Sequence, residues 1–302
     1  MVVNRIYQLK TEIMKTKFFF LISVSLLFVF SSCKKNASPL DQTSISVADD
    51  EAVSEAVFED LFNTIDNATI ALGEVLKNGD TKSSVLSIED PCPTLTIEHP
   101  SSGIWPKVIT IDYGTGCTGF FNQTRSGKII IEVTGPRREE GSKRTVTFDN
   151  YHFNGIKVEG EKIFENLGLN ENQNFVVSVT LTNGKLILPD GKTIERAVGH
   201  EREWIAGFMT PNLWDDECLV TGSATGKNAE GISYVRTITT PLHWKRVCEF
   251  IVSGIIEIER DGAEPFIFNY GDGECDNKAV VSDGSGSKEI RLRHKHRNWI
   301  NQ

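Results

Sequence analysis

Residues 177–191 read VSVTLTNGKLILPDG. Apolar and polar residues alternate over the first five positions, which is the pattern of a β-strand with one buried and one solvated face. The dipeptides Asn183-Gly184 and Asp190-Gly191 are typical of tight β-turns, and they flank a further apolar segment at residues 185–188. The stretch therefore predicts consecutive antiparallel strands joined by short turns.

The same alternation recurs along most of the chain, for example at residues 94–97, 108–111 and 143–148. Asn154-Gly155 is a further turn signal between two such segments. We count roughly a dozen strands and no second convincing helix. Strands with one solvated face favour an antiparallel meander over a parallel sheet.

The tripeptide Val-x-Gly occurs four times, at residues 133–135, 158–160, 220–222 and 252–254. Glycine inside a strand marks a bulge, a bend or a close approach of two backbones. We therefore expect a strongly curved sheet.

Residues 49–78 predict one amphipathic helix, because apolar residues recur there four positions apart. These residues are Val53, Val57, Leu61, Ile65, Leu72 and Val75. Asn78-Gly79 is a suitable C-terminal stop. The spacing places Leu61 on the buried face and Glu59 on the solvated face, and we expect the apolar face to cover the concave side of the sheet.

The predicted fold is thus mainly β: a curved antiparallel meander, either an open barrel or sandwich-like, with one N-terminal helix packed against the sheet. Residues 48–297 form a single β-rich domain in this interpretation. Residues 33–47 are polar and small, and they predict a flexible tether before it.

Residues 1–32 predict a signal peptide with an upstream extension. Met14 is an alternative start to Met1, because two lysines follow it at once and an apolar run begins at Phe18. The run ends in Ser-Ser before Cys33, an order that resembles a bacterial lipobox. We predict lipidation at Cys33 and a membrane anchor made by the acyl chains; the alternatives are a plain signal peptide or an uncleaved anchor.

An internal repeat predicts two disulfides. Residues 108–117 read VITIDYGTGC and residues 266–275 read FIFNYGDGEC, and each segment has a further cysteine upstream. We infer two related β units, at about residues 89–180 and 181–297. Equivalent pairing gives Cys92–Cys117 and Cys248–Cys275, and leaves Cys218 as a buried free thiol.

The net charge of −9 argues against nucleic acid as a partner, since phosphate binding needs a basic surface. No cysteine spacing matches a zinc site. Asp272, Glu274 and Asp276 alternate as calcium ligands do, but turn chemistry explains them equally well. We predict no metal and no cofactor.

Two further patterns allow more than one interpretation. Residues 200–204, HEREW, begin like a zinc-protease motif, but the fifth residue is not histidine and the surroundings predict a strand. Four aromatic residues are either core or the lining of a glycan or apolar ligand site: Trp204, Phe208, Trp214 and Trp244.

Five segments resemble those of Bacteroidota outer-membrane lipoproteins: residues 111–135, 146–168, 201–208, 221–242 and 266–281. The resemblance extends over about residues 89–293. It implies a β-rich protein at the outer membrane, and it implies no assigned activity. In that phylum acidic residues after the lipidated cysteine often direct surface export; here residues 34–36 are Lys-Lys-Asn, so the periplasmic and the outer face both stay open.

Two hypotheses about function follow. The first is a non-enzymatic envelope lipoprotein that binds a partner protein, a glycan or an apolar molecule on its curved sheet. The second is a hydrolase of envelope or dietary polymers that uses scattered carboxylates such as Asp215, Asp216 and Glu217. A cleft with two carboxylates about 5–10 Å apart would favour the hydrolase.

Overall fold

The computed structural model describes residues 41–77, 84–87, 93–98, 105–119, 123–210, 212–248 and 250–292. The predicted signal peptide, Cys33, most of the tether and Cys92 lie outside these residues. The prediction of lipidation and the pairing of Cys92 with Cys117 therefore stay predictions.

The protein is mainly β, as predicted, and its strands form one curved antiparallel sheet. Fourteen strands follow one another in chain order across the sheet, and β4 pairs with β5 outside this order. The sheet is not closed, and β1 and β15 are its edges. The strands are β1 Ser84–Ser87, β2 Thr94–Glu98, β3 Lys107–Asp112, β4 Cys117–Thr118, β5 Thr124–Val133, β6 Lys143–Phe153, β7 Ile156–Leu169, β8 Phe175–Ile187, β9 Thr193–Ala206, β10 Glu217–Lys227, β11 Ser233–Lys245, β12 Ser253–Glu259, β13 Phe266–Asp272, β14 Lys278–Ser282 and β15 Ser287–Arg291.

Turn chemistry explains two of the three predicted turns. Asn154-Gly155 joins β6 to β7, and both residues have positive φ, +52° and +79°, as a tight hairpin turn requires. Asp190-Gly191 lies in the turn between β8 and β9. The prediction for Asn183-Gly184 is wrong: β8 runs through it, and its pairing with β9 shifts between Leu181 and Gly184. The backbone of Asn183 is left-handed, with φ of +52°. Because β8 continues beyond this residue, Asn183 forms a bulge and not a turn.

Three of the four Val-x-Gly tripeptides are bulges, as predicted. Gly160, Gly222 and Gly254 have φ near +120°, and each lies where the strand register shifts. A Cβ atom at Gly222 would lie 2.2 Å from the carbonyl oxygen of Gly199 on the neighbouring strand. These bulges increase the local twist, and the sheet curves around the helix as a result.

Helix α1 spans Gln42–Lys77 and is longer at its start than predicted. The carboxylate of Asp41 accepts a hydrogen bond from the backbone N–H of Ser44 at 3.2 Å, which is an N-cap contact. Residues 42–47, which we assigned to the tether, are therefore the first turns of the helix. Only Ile45 and Val47 are apolar in this segment, so periodicity alone missed it.

The core lies between α1 and the concave face of the sheet. Leu61, Phe62 and Ile65 are at most 1% exposed. The Phe62 ring contacts the rings of Phe164 on β7 and Trp204 on β9, with centroids 5.9 and 6.0 Å apart. The helix thus covers the apolar face of the sheet, as its sequence predicted.

The predicted disulfide Cys248–Cys275 is present, and it joins the loop between β11 and β12 to the loop between β13 and β14. Cys218 is free and fully buried, also as predicted. Cys117 is disulfide-bonded. The side chains of Asp112 and Asn269 each accept a hydrogen bond from the glycine N–H two residues later, so the two repeat motifs share one local turn.

Candidate functional site

Four acidic side chains of α1 form a buried or partly buried series that meets arginines of the sheet and of its connections. Glu51, Glu55, Glu59 and Asp66 recur at intervals of four and seven residues, which places them along one side of the helix. Buried carboxylates are stable only when they are paired, and each of these four contacts at least one guanidinium group.

The first part of this series is the Glu51–Glu55 cluster. Arg236 of β11 places Nε 3.1 Å from Glu51 and Nη1 3.3 Å from Glu55. Arg196 of β9 contacts the same two carboxylates at 3.2 and 2.8 Å. Burial alone would raise the pKa of Glu55, but Arg236 and Arg196 outweigh it and hold the pKa well below its usual range. The hydroxyl of Tyr234 donates to Glu51 at 2.8 Å.

Glu59 does not lie on a solvated face, and that expectation is wrong. Both of its carboxylate oxygens accept hydrogen bonds from Arg202 of β9, and the Arg202 guanidinium lies 4.2 Å from the centroid of the Phe62 ring. The spacing of the apolar residues identified one buried face of α1. The sheet also covers the side of the helix that carries Glu59.

Asp66 forms the most crowded contact in the series. Arg137 donates to both of its oxygens, at 2.8 and 3.2 Å, while Arg144 and Arg246 contact it at 3.3 and 3.2 Å. Burial opposes ionisation of Asp66, but the three guanidinium groups keep its pKa below the ordinary value. Burial, and to a lesser extent repulsion from Arg137, lowers the pKa of Arg144 to about 10, although Asp66 opposes the shift.

Lys162 of β7 is a further buried cation, and it lies near Arg202, Arg196, Glu59 and Glu55. Its Nζ donates to the carbonyl oxygen of Phe58 at 3.1 Å and lies over two aromatic rings. Burial, and then Arg202, lowers the pKa of Lys162 to about 7. Burial and Arg236 lower the pKa of His200 to about 2, so this imidazole is neutral at physiological pH.

A cavity of about 600 Å³ lies along the remaining side of α1, and we call it the seam groove. Its floor is a stripe of the helix that extends from Ala52 to Ala68, about 24 Å at the helical rise of 1.5 Å per residue. The other floor residues are Glu55, Ala56, Glu59, Asp60, Asn63, Thr64 and Asn67.

The walls of the seam groove come from parts of the sheet that are distant from each other in the strand order. One wall holds residues of β3–β5 and their connections, and the other holds residues of the β9–β10 and β11–β12 connections, β13 and the residue after β15. Aromatic and aliphatic side chains dominate the second wall: Trp214, Val247, Phe250, Ile251, Tyr270 and Leu292. The first wall is mixed, because Ile111 and Tyr113 lie there beside Gln123 and Arg125. The groove thus has a mainly polar floor, one apolar wall and one mixed wall.

Every charged side chain in the groove has an ion-pair partner within the protein. Asp60 contacts Arg125 at 2.5 Å, and Arg246 contacts Asp66. Glu55 and Glu59 belong to the arginine series described above. The amide oxygen of Asn63, by contrast, has no hydrogen-bond partner within the described ranges.

The structure separates the four predicted aromatic residues. Trp204 and Trp244 are 3% and 2% exposed, and both pack against Phe62, so they are core residues and their assignment as binding aromatics is wrong. Phe208 is also buried. Trp214 is 67% exposed at the rim of the seam groove. A 3-10 turn, Leu213–Asp215, holds it there, with Asn212 as its N-cap.

The other patterns do not build a catalytic site. HEREW lies in β9, where His200, Arg202 and Trp204 point inward and the two glutamates do not. The three consecutive acids diverge: Asp215 accepts from Thr210, Asp216 lies 3.6 Å from Arg246, and Glu217 contacts His243.

Three broader observations concern metals, membranes and relatives. The described residues contain no group of three or more His, Cys, Asp or Glu placed to hold a metal ion. None of the described helices has the length and apolar character to cross a membrane. Comparison of the chain with protein-family models, curated proteins and solved structures found no match.

Sequence reasoning missed the arginine series, although a signal for it exists. Along β9 the buried positions include Arg196, His200, Arg202 and Trp204, which all have the same parity in the strand. An arginine on the same face of a strand as a core tryptophan predicts a buried acidic partner.

Proposed function

We propose that this protein is a non-enzymatic lipoprotein of the outer membrane that binds a ligand in the seam groove. The observation that carries the proposal is the groove itself. A volume of about 600 Å³ lies within the range of small-ligand sites, and the exposed Trp214 at the rim, the mainly polar floor and the aromatic and aliphatic residues of one wall give the mixed lining of such sites.

The electrostatics of the groove support binding over hydrolysis. A glycosidase needs one carboxylic acid with a raised pKa to protonate the leaving group. Glu55, Glu59 and Asp60 line the groove as acids, but each is held in an arginine ion pair, and the pKa of Glu55 is lowered. Burial raises the pKa of Asp216, but this residue lies beside Arg246 and does not line the groove.

The membrane part of the proposal rests on the N-terminal sequence. Its basic start, apolar run, small residues and Cys33 support acylation and a lipid anchor at the outer membrane. Growth of the producing cells with labelled fatty acid should label the protein, and Cys33→Ala should abolish the label. A variant that keeps the label would remove the lipid anchor from the proposal.

Filling the groove tests the binding part of the proposal. Ala56 lies on the groove floor, so we expect Ala56→Trp to block it, whereas Val280→Trp adds the same side chain to an exposed position of β14. The full chain and both variants are incubated with the small-molecule fraction of a bacterial envelope extract and analysed by native mass spectrometry.

We expect a noncovalent adduct with the unmodified chain and with Val280→Trp, and no adduct with Ala56→Trp. Circular dichroism melts establish that each variant is folded, and Ala56→Leu replaces Ala56→Trp if the larger side chain prevents folding. An adduct that persists in the filled variants would place binding elsewhere. Release of product masses from the extract would favour the hydrolase.

A further inference from the structure

A second and much smaller cavity lies inside the fold, between α1 and strands β7–β9. Its volume is about 20 Å³, which is enough for one water-sized particle. Six of its ten lining residues are charged or polar, and polar cavities in proteins hold a bound species whereas apolar ones stay empty. These six residues are Glu55, Glu59, Lys162, Arg196, His200 and Arg202.

The ammonium group of Lys162 is the cation of this cavity that has no carboxylate partner. Lys162 is 5% exposed, and its Nζ donates one hydrogen bond, to the carbonyl oxygen of Phe58 at 3.1 Å. An ammonium has three N–H donors, so two of them have no oxygen or nitrogen acceptor among the residues that the structure describes. Glu55 and Glu59 attract Nζ only from beyond ion-pair distance. A buried charge without a counter-charge is costly, so the protonated lysine needs a further partner.

The nearby carboxylates are already engaged by arginines. Both oxygens of Glu59 accept hydrogen bonds from Arg202. Glu55 Oε2 is contacted by Arg196 at 2.8 Å and by Arg236 at 3.3 Å. A rotation of either acid towards the lysine would leave a buried guanidinium group unpaired, which costs as much as it gains. The fold itself therefore supplies no anion for the ammonium group.

The charges around the cavity leave an excess of one positive charge. Three acids of α1 face four cations of the sheet when the lysine is protonated, and the imidazole of His200 is neutral because its pKa is about 2. This local excess contrasts with the net charge of −9 on the whole chain. One bound monovalent anion would balance it. The acids are Glu51, Glu55 and Glu59, and the cations are Lys162, Arg196, Arg202 and Arg236.

The protonation state of Lys162 decides when a counter-ion is needed. Burial, and then the positive charges of Arg202 and Arg196, lowers its pKa to about 7, although Glu59 and Glu55 oppose the shift. Well above pH 7 the amine is neutral and the cluster is balanced without an anion. Below pH 7 the ammonium is present, and its charge attracts an anion into the cavity. Uptake of a proton and uptake of an anion are therefore linked.

We infer that the cavity beside Lys162 is a binding site for one small monovalent anion of the halide class, such as chloride. The anion accepts a hydrogen bond from the ammonium group and lies close to Arg196 and Arg202. This site is separate from ligand binding in the seam groove, and neither proposal depends on the other.

Thermal melts of the full chain test the site at two pH values. Sodium chloride replaces sodium gluconate at constant ionic strength, so that general screening of charges is the same in every sample. For a dissociation constant of about 10 mM, we expect the melting temperature at pH 6 to rise by about 4 °C between 10 and 300 mM chloride. At pH 9 the rise should be less than about 1 °C, because the amine is neutral.

Two variants and one direct measurement locate the anion. Lys162→Met removes the ammonium group and should abolish the rise at pH 6, whereas Lys143→Met removes an exposed lysine of β6 and should keep it. Circular dichroism establishes that both variants are folded. Crystals of the unmodified protein grown at pH 6 and soaked in sodium bromide should show an anomalous peak within hydrogen-bond distance of Lys162 Nζ, which does not depend on the folding of any variant.

Three results would overturn the inference. The first is a rise with chloride that is equal at pH 6 and pH 9, and the second is a rise that Lys162→Met leaves unchanged; both would place the effect of chloride at the surface. The third is a cavity that shows no bromide peak at pH 6, which would leave water as its content. None of these results bears on the seam groove, since the adduct experiment tests that site by itself.

Discussion

Helix α1 is held in the sheet by two kinds of buried contact, and they lie on neighbouring sides of the same element. Leu61 and Phe62 pack into an aromatic and aliphatic core, whereas Glu59 and Asp66 meet arginines. Apolar packing is not directional, so it stabilises the helix over a range of axial positions. Ion pairs lose their energy when they are displaced by a few ångströms.

Apolar packing and buried ion pairs have different roles in holding α1. Burial of apolar surface contributes about 25 cal/mol per Å², and we assign to it most of the free energy that keeps α1 in place. A buried ion pair roughly offsets the desolvation of its members, so its net contribution is small. Breaking one pair is nevertheless costly, because the surviving charge stays buried. The acidic series therefore sets the rotation and height of the helix.

The largest effect is expected from Asp66→Ala. This variant leaves three guanidinium groups together without their shared carboxylate, and we expect a loss of about 4–5 kcal/mol in the free energy of unfolding. Asp49→Ala removes an exposed acid from the same helix and should change it by less than about 0.5 kcal/mol. Urea titrations of both variants provide the values. Equal losses in the free energy of unfolding would show that the arginine contacts of Asp66 do not stabilise the fold.

Leu61→Ala and Glu59→Ala compare the two kinds of contact directly. Truncation of the fully buried Leu61 should cost about 3 kcal/mol through the cavity it leaves. Glu59→Ala should cost a similar amount, because Arg202 is then buried without its partner. Thermal melts with a hydrophobic dye measure both. An unchanged melt for Leu61→Ala, with dye bound, would make α1 a mobile lid and not part of the core.

Lys162→Met tests the charge balance of the series through its pH dependence. With a folded pKa of about 7 and an ordinary value of 10.5, the unfolded chain binds more protons between these two pH values. The unmodified protein therefore gains stability as pH rises from 7 towards 10, and it has lost this contribution below pH 7. Lys162→Met lacks the titration, so we expect its advantage to be about 2–3 kcal/mol larger at pH 6 than at pH 9. An advantage independent of pH would mean that Lys162 stays charged when folded.

The smallest change in the free energy of unfolding is expected when the hydroxyl groups of two buried tyrosines are removed. Tyr234→Phe removes a hydroxyl that donates to Glu51, and we expect a loss of about 1–2 kcal/mol. The Tyr270 hydroxyl has no hydrogen-bond partner in the described part of the chain, so Tyr270→Phe should leave the free energy of unfolding nearly unchanged. Chemical denaturation of the two variants under one condition makes the comparison. A larger loss for Tyr270→Phe would reveal a contact of its hydroxyl that stabilises the fold.

The regular parts of the fold could be predicted because they follow from local patterns. Alternation identified the strands, and positive φ at Asn154-Gly155 follows from the turn residues alone. Asn183-Gly184 has equally strong turn chemistry, but the strand pairing on both sides overrides it and makes a bulge. The helix start at Gln42 depends on one capping carboxylate in a polar segment, and apolar periodicity does not detect such a signal.

The candidate site could not be predicted to the same extent, because it depends on pairs far apart in the chain. Glu59 meets Arg202, and nothing local to Glu59 distinguishes it from a solvated helical acid. The groove lies between parts of one sheet that are distant in strand order, so it follows from the curvature of the whole sheet. Trp214 alone could be named from the sequence, and its exposure at the rim was one of two alternatives.

The position of α1 in the chain has a consequence for how the protein reaches its native state. The helix is made before every described strand, but the arginine partners of Glu51 lie on β9 and β11, about 145 and 185 residues later. Contacts of such sequence separation form slowly, because a long loop must close first. The burial of Glu51 among its arginine partners is therefore complete only after β11 has been made. We therefore expect the protein to fold slowly for its size and to depend on its C-terminal half for any stable structure in its N-terminal half.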